Sequence, residues 1–392
     1  MEKTPLSLRT HITFFGNTNS GKSSLFNKLI GEDLMIVSEF EGTTTDPVTK
    51  AMELIPFGPV AVTDTAGWGD TTGIGDKRQA KTDKLLDRTD FAIYTADSSA
   101  FDKSHYDNAC KEFDKRKIGH MLVFTKSDLC TGDVAKDYPE AVVVSVYDDK
   151  SIDNFKKKLI LCLTKTVKEE KSMIGGLLPE GAMVVLVIPI DSEAPKGRLI
   201  LPQVQLIRDC LDNGMRAVCV RDTELKKTLD EIKNVDLVVT DSQVFKKVSQ
   251  IVPQNIKLTS FSMLLSNAKS DIKTLAEGVS AIEKLHDGSR ILMAEACTHN
   301  TSHEDIGRVK IPTILRNYTG KDLEFEYSIH HDFPADLSKY DLVIHCGGCM
   351  INQKTMQNRI KQCQDAGVSV TNYGVILSYA NGILKRSMEI FE

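Results

Sequence analysis

From Thr10 onward, short apolar runs alternate with longer polar or amphipathic stretches. HITFF, VAVTD, FAIYTAD, HMLVFT and AVVVSV recur at intervals that leave room for crossover helices. That spacing predicts parallel strands joined by helices, so the first part of the chain reads as α/β. The lysine-rich helical stretch KKKLILCLTKTVKEEK ends at Gly175-Gly176 and Pro179-Glu180-Gly181, breakers suited to an inter-domain joint. A second series opens with AMVVLVIPI and continues with an amphipathic run from Leu201 that stops at Gly214, then AVCV, a charged helix from Thr223 and DLVVTD. After Thr259 the pattern restarts with a helical stretch, ILMAEA, LEFEYSI, DLVIHC, a helix from Asn352 to Ala366, VSVTN and a last amphipathic helix. The expectation is three α/β units with parallel sheets, over residues 1–174, 175–262 and 263–392.

Composition narrows the class. A chain of 392 residues is more than one core usually organises, and 41% hydrophobic with 26% charged residues excludes disordered, collagen-like and membrane-spanning classes. The longest apolar run, Ala182 to Ile190, is about half of what a bilayer requires, and MEKTPLSLRT leads into no apolar signal core. A cytoplasmic location without membrane attachment is therefore expected. Lys and Arg number 49 against 54 Asp and Glu, a formal charge of -5 that gives no general attraction for phosphate backbones, so nucleic acid is not an expected partner. Nine cysteines in a chain without a secretion signal argue for reduced thiols, some reserved for metal or redox chemistry.

The strand HITFF runs into Gly16-Asn17-Thr18-Asn19-Ser20-Gly21-Lys22-Ser23, followed by Ser24 and the apolar-periodic helix SSLFNKLI. This is a phosphate-binding loop in the context it needs: backbone N–H groups close around phosphates while a helix N-terminus faces the anion. Lys22 would neutralise the β- and γ-phosphates and Ser23 would ligate Mg²⁺. Asp64-Thr65-Ala66-Gly67 ends the strand VAVT, where Asp64 can hold Mg²⁺ through water and the Gly67 N–H can sense the γ-phosphate. Thr125-Lys126-Ser127-Asp128 ends HMLVF. Asp128 can accept from guanine N1–H and the 2-amino group, which adenine lacks, while Lys126 packs its stem along the base. Ser145-Val146 stands where a backbone N–H could meet the guanine O6. In this order, each at the carboxyl end of a strand, the motifs predict a P-loop GTPase domain with GTP or GDP and Mg²⁺ as ligands.

The second constellation is made of soft ligands. Cys297-Thr298-His299 follows ILMAEA and His345-Cys346-Gly347-Gly348-Cys349 ends DLVIHC, again at the carboxyl ends of strands. The two glycines let Cys346 and Cys349 turn toward one metal. Spacing alone leaves a structural zinc, a redox pair and a [4Fe-4S] cluster open. For Cys110, Cys130, Cys162, Cys210, Cys219 and Cys363 the expectation is a buried structural thiol.

The front motifs resemble the potassium-activated group of translation-factor-related GTPases, in which tRNA-modifying enzymes are found. Gly42-Thr43-Thr44-Thr45-Asp46 matches its switch, Asn19 its P-loop asparagine, and Trp68 follows the DTAG motif. The resemblance implies Thr44 as a Mg²⁺ ligand and Asn19 as a K⁺ ligand, with K⁺ in the arginine-finger role. It also implies Lys22, Thr44, Asp64 and Gly67 as the groups acting on the γ-phosphate. No glutamine follows Gly67 to orient the attacking water. Thr125 stands where that group has asparagine, a residue that braces the P-loop.

Over the whole length, a P-loop GTPase domain, a middle α/β domain and a C-terminal C-x-H…H-C-x-x-C motif resemble the FeFe-hydrogenase maturation GTPases. The resemblance implies a [4Fe-4S] cluster on Cys297, Cys346 and Cys349, with His299 or His345 as exchangeable fourth ligand or as a donor to the ligands. It further implies a scaffold that carries the di-iron subcluster precursor to apo-FeFe-hydrogenase, two radical-SAM maturases as upstream partners, and self-association as a homodimer through the middle domain, with a tetramer as the larger alternative. The alternative is a GTPase of RNA modification or ribosome assembly with structural zinc in its last domain. A nucleotide-gated metal-storage module is the non-enzymatic rival.

Overall fold

The structure is a computed structural model. It describes residues 4–31, 38–40, 47–68, 82–130, 136–167, 171–190, 196–296, 306–329 and 332–392. The chain divides into two compact units, Met1–Glu169 and Glu170–Glu392.

The first unit is built on seven strands: β1 (Thr10–Phe15), β2 (Ser38–Phe40), β3 (Val48–Leu54), β4 (Gly58–Asp64), β5 (Phe91–Asp97), β6 (Gly119–Thr125) and β7 (Val142–Val143). Their order is β2-β3-β4-β1-β5-β6-β7. The five strands from β4 to β7 run parallel, while β3 pairs antiparallel with β4 and β2 antiparallel with β3. The sequence pattern had not marked β3. VTKAMEL alternates polar and apolar positions at the side of the sheet, and only Ala51, Met52 and Leu54 are buried. Central strands bury both faces. Ile12 and Phe14 of β1 face one core with Ile93 and Val123, and Phe15 faces a second with Tyr94 and Phe124. Helix Lys22–Gly31 covers the first core with Leu25, Phe26, Leu29 and Ile30, the one-turn spacing of an amphipathic stripe.

The second unit holds two four-stranded parallel sheets. One contains β8 (Met183–Val187), β9 (Arg216–Val220), β10 (Leu237–Thr240) and β11 (Lys257–Ser260) in the order β11-β10-β8-β9. The other contains β12 (Arg290–Glu295), β13 (Glu324–Ile329), β14 (Leu342–His345) and β15 (Ser369–Asn372) in the order β13-β12-β14-β15. Read from β9 and from β13, both sheets place their second strand outside the first and their third and fourth on the other side. Strand order therefore reverses between β8 and β10, and again between β12 and β14. The two sheets share one hydrophobic core, to which Val184, Leu186 and Leu237 contribute from the first and Leu292, Met293 and Ile344 from the second. Met173 and Ile174 also pack in this core. The last helices tie back to the first sheet of the unit: Arg386 donates to the carbonyls of Ser249, Val252 and Pro253, and the Thr259 hydroxyl donates to Ser387 O. Of the six cysteines expected to be buried thiols, Cys210 and Cys363 are buried, Cys110, Cys130 and Cys162 are half-buried, and Cys219, on the edge strand β9, is exposed. Among the described residues no helix is long and apolar enough to cross a membrane.

Candidate functional site

At the carboxyl end of β1 the chain turns at Gly16 with φ +139°, where a Cβ would collide with the Thr95 carbonyl oxygen. Only glycine fits, so β5 shapes the loop that β1 starts. Ser20 Oγ and Thr95 Oγ1 share a hydrogen bond of 2.8 Å inside the same wall. Asn19, exposed at the loop tip, has φ +61°, a left-handed conformation asparagine tolerates better than most residues. Gly21 follows at φ +79°, and Ser23 and Ser24 open helix Lys22–Gly31 with exposed side chains.

Lys22 is 6% exposed, and its Nζ donates to Gly16 O at 3.1 Å and Asn17 O at 2.7 Å. Burial pushes its ammonium below the ordinary lysine range, an effect the Asp64 charge opposes. Burial likewise pushes the Asp64 carboxyl up, opposed by the Ser23 hydrogen bond and by Lys22. Ser23 Oγ donates to Asp64 Oδ2 at 2.6 Å, while Asp64 Oδ1 is buried without a hydrogen-bond partner among the described residues. A hydroxyl and a carboxylate with an unused lone pair form a hard-oxygen donor set that suits a hydrated Mg²⁺. The switch segment Gly42–Asp46, with Thr44, lies outside the described residues.

Gly67 lies against the P-loop so closely that a Cβ would meet Thr18 Oγ1 and backbone, and the Trp68 N–H donates to Gly16 O at 3.0 Å. The indole packs on Phe15 and Phe113, with ring centroids 5.3 and 5.8 Å away. The side chain after Gly67 is thus an anchor in the second core, and it brings no amide to a water.

At the base end, Thr125 does what the missing asparagine would do for the loop. Its hydroxyl, 2% exposed, lies 2.7 Å from Ser20 O, to which it donates, and ties the P-loop to β6. Lys126 has φ +55° and pairs through Nζ with Asp97 Oδ2 at 2.7 Å. Burial would raise Asp97, but hydrogen bonds from Lys126 and Ser99 hold its carboxyl down at about 2. Asp128 is exposed at the site, and its Oδ1 accepts from Ser145 Oγ at 2.6 Å. The Ser145 N–H donates to Ser151 Oγ at 3.1 Å, so Val146 carries the amide of this pair that Ser151 does not engage. Thr95 and Asp97, unmarked by any motif, complete the site. They sit one strand over, where only register brings them together: Asp97 is paired with Thr125 across β5 and β6.

In the second unit, β14 ends at His345 beside Ala294 of β12, at the point where strand order reverses. Cys346 is 8% exposed, and its Sγ accepts from Ala296 N at 3.1 Å and Gly348 N at 3.4 Å. Two backbone N–H groups aimed at one sulfur are the contacts that a metal-bound sulfur accepts. Gly348 has φ +66°, and its Cβ position is taken by Met356, whereas Gly347 has open space around it. Of the two glycines, Gly348 is the one the turn requires. Cys349 is half-buried at the end of the loop.

His345 is 1% exposed with both ring nitrogens engaged. Nδ1 is 2.8 Å from Cys346 O, an oxygen that can only accept, so Nδ1 carries the proton. Nε2 then presents its lone pair to Arg359 Nη1 at 2.8 Å. Cys297 and His299 lie outside the described residues, and among the described residues no three metal-ligating side chains gather. The donor chemistry present, a sulfur held by two backbone amides and a second thiol three residues on, fits a soft metal or cluster.

Comparison with known proteins follows this division. Residues 11–126 match the family model of the 50S ribosome-binding GTPase, residues 173–270 that of the hydrogen maturase F dimerization domain, and residues 273–390 that of the hydrogen maturase F tetramerization domain. GTPase Der of Clostridium botulinum (strain Langeland) is 27% identical over 221 residues, covering 54% of this chain and 41% of that protein. GTPase Der of Wolinella succinogenes is 30% identical over 175 residues, covering 41% of this chain and 37% of that protein. The chain thus spans about two fifths of the length of these relatives. Among solved structures, the bacterial selenocysteine-specific elongation factor EF-Sec matches with TM-score 0.34 and 14% identity, over 42% of this chain and 30% of that one. The G domain of the T. maritima FeoB iron transporter matches with TM-score 0.31 and 21% identity, over 39% of this chain and 98% of that one.

Proposed function

Because the chain belongs to the hydrogen maturase F family, a GTPase domain followed by that family's dimerisation and tetramerisation domains, we propose that it is a nucleotide-operated scaffold for assembling the FeFe-hydrogenase active site. On this reading Cys297, Cys346 and Cys349 hold a [4Fe-4S] cluster, and the protein receives a di-iron precursor from two radical-SAM maturases and delivers it to apo-hydrogenase. One observation supports the cluster reading best: the Cys346 sulfur receives two backbone N–H groups at the strand-order reversal, one of them from the residue preceding Cys297. Of the two histidines, His299 is the one left for the fourth iron, because both His345 nitrogens are in hydrogen bonds. When bound, the cluster supplies soft metal sites, one of them replaceable by cargo.

At the front, Lys22 would leave the Gly16 and Asn17 carbonyls for the β- and γ-phosphates, and the phosphate charge would restore the ammonium that burial disfavours. Ser23 and Thr44 would ligate Mg²⁺, Asp64 would hold one of its waters, and Asn19 would take K⁺. With Trp68 anchored in the core, charge stabilisation would replace a water-orienting amide, and hydrolysis would be slow and potassium-stimulated. The nucleotide step is then a timer that changes which surface meets which partner.

Anaerobic purification followed by metal and sulfide analysis tests the cluster reading. It expects about four iron and four sulfide per chain, lost in Cys346→Ser. Stoichiometric zinc without sulfide would move the protein to the RNA-side alternative.

A further inference from the structure

Two basic side chains lie buried beneath the cysteine loop, and the nucleotide site uses neither. Lys269, 4% exposed, closes helix Phe261–Lys269 and donates from Nζ to Gly348 O and Ile351 O, both at 2.7 Å. Arg359, also 4% exposed, stands on helix Gln353–Asp365, with its guanidinium 5.0 Å from the Phe333 ring centroid and Nη1 2.8 Å from His345 Nε2. Each reaches a cysteine through one intermediary. Lys269 holds the carbonyl of the residue before Cys349, and Arg359 holds the imidazole whose other nitrogen holds the Cys346 carbonyl.

A [4Fe-4S] core on three thiolates is anionic and gains a further negative charge on reduction. Its potential follows net charge, hydrogen bonds to sulfur and exposure. Positive charge fixed in a buried setting is felt more strongly than at the surface. Resting on the proposed cluster on this loop, we propose that Arg359 and Lys269 are positioning residues that fix the Cys346–Cys349 loop and raise the cluster's reduction potential, Arg359 acting through His345. They touch no iron, and the Arg359 contact keeps His345 off the metal.

The test uses the full chain, reconstituted anaerobically with ferrous iron and sulfide and titrated with dithionite under EPR. Arg359→Gln keeps an N–H for His345 but loses the charge, and Arg359→Lys keeps the charge. With about four irons bound, Arg359→Gln should lower the reduced-to-oxidised ratio at fixed potential about tenfold, which is about 59 mV for a one-electron couple. Arg359→Lys should restore it to within about twofold. A loaded Arg359→Gln protein with wild-type potential would overturn the proposal. If that variant does not fold, Lys269→Gln carries the same expectation and the same refutation. A measurement that leaves both residues in place also decides: ¹⁵N-histidine-labelled His299→Ala protein should show no histidine nitrogen coupling to the cluster, and coupling there would place His345 on iron and end the proposal. Wild-type protein that takes up no iron and sulfide would instead end the cluster reading itself.

Discussion

At the scale of single residues, the protein replaces expected groups by others that reach the same partner. Thr125 supplies one hydroxyl proton where asparagine would supply an amide, and that proton goes to Ser20 O. Thr125→Val keeps the shape and removes the donor, so GDP affinity should fall roughly fivefold, about 1 kcal/mol for a buried carbonyl left unpaired; titration with a fluorescent GDP analogue checks this. Lys22→Ala should cut GTP turnover about a hundredfold or more. Exchanging K⁺ for Na⁺ should slow the wild type about tenfold and leave Asn19→Ala indifferent; phosphate release measures both.

Asp97 titrates with a definite sign. Its native carboxyl is depressed from 3.8 to about 2, so its contribution is present above pH 4 and is lost as pH falls toward 2. The denaturation midpoint of wild type should therefore converge on that of Asp97→Asn across this window, from a difference on the order of 1 kcal/mol. Motif spacing marked Lys126 but not Asp97, because the pair is made by the register of β5 and β6, which no local pattern encodes.

Among elements, the strand-and-loop framework was legible because buried parallel strands leave unbroken apolar runs. The edge was not: β3 carries the alternation of a half-covered strand, and β2 has three residues. The cysteine loop was legible as a turn, since Gly347-Gly348 announces one, but the division of labour between the glycines is set by the backbone conformation at Gly348, which the pair of letters does not encode. Gly348→Ala forces a left-handed φ on alanine beside Met356 and should cost about 1–2 kcal/mol with reduced iron uptake, while Gly347→Ala should retain wild-type iron. Iron per chain after reconstitution separates the two. Lys269 and Arg359 carried no signal in sequence, because each reaches the loop from a helix distant in the chain or on its far side.

On the scale of the molecule, the chain is two compact units, the second with a core shared by two sheets of the same strand order. Three α/β segments were readable from three restarts of the strand pattern. That the last two share a core was not, because Met173, Leu237 and Leu292 look alike whether they face their own sheet or the next one. Calorimetry should resolve two transitions. GDP with Mg²⁺ at a hundredfold excess over its Kd should stabilise one by about 2.7 kcal/mol and leave the other unmoved.

The most direct measurement of the scaffold account is delivery. Protein isolated anaerobically from cells that also make the two radical-SAM maturases, mixed with apo-FeFe-hydrogenase, should restore hydrogen evolution, and Cys346→Ser protein prepared alongside should not. Hydrogen evolution that stays at the apo level with wild-type protein, or that the Cys346→Ser protein restores equally well, would contradict it.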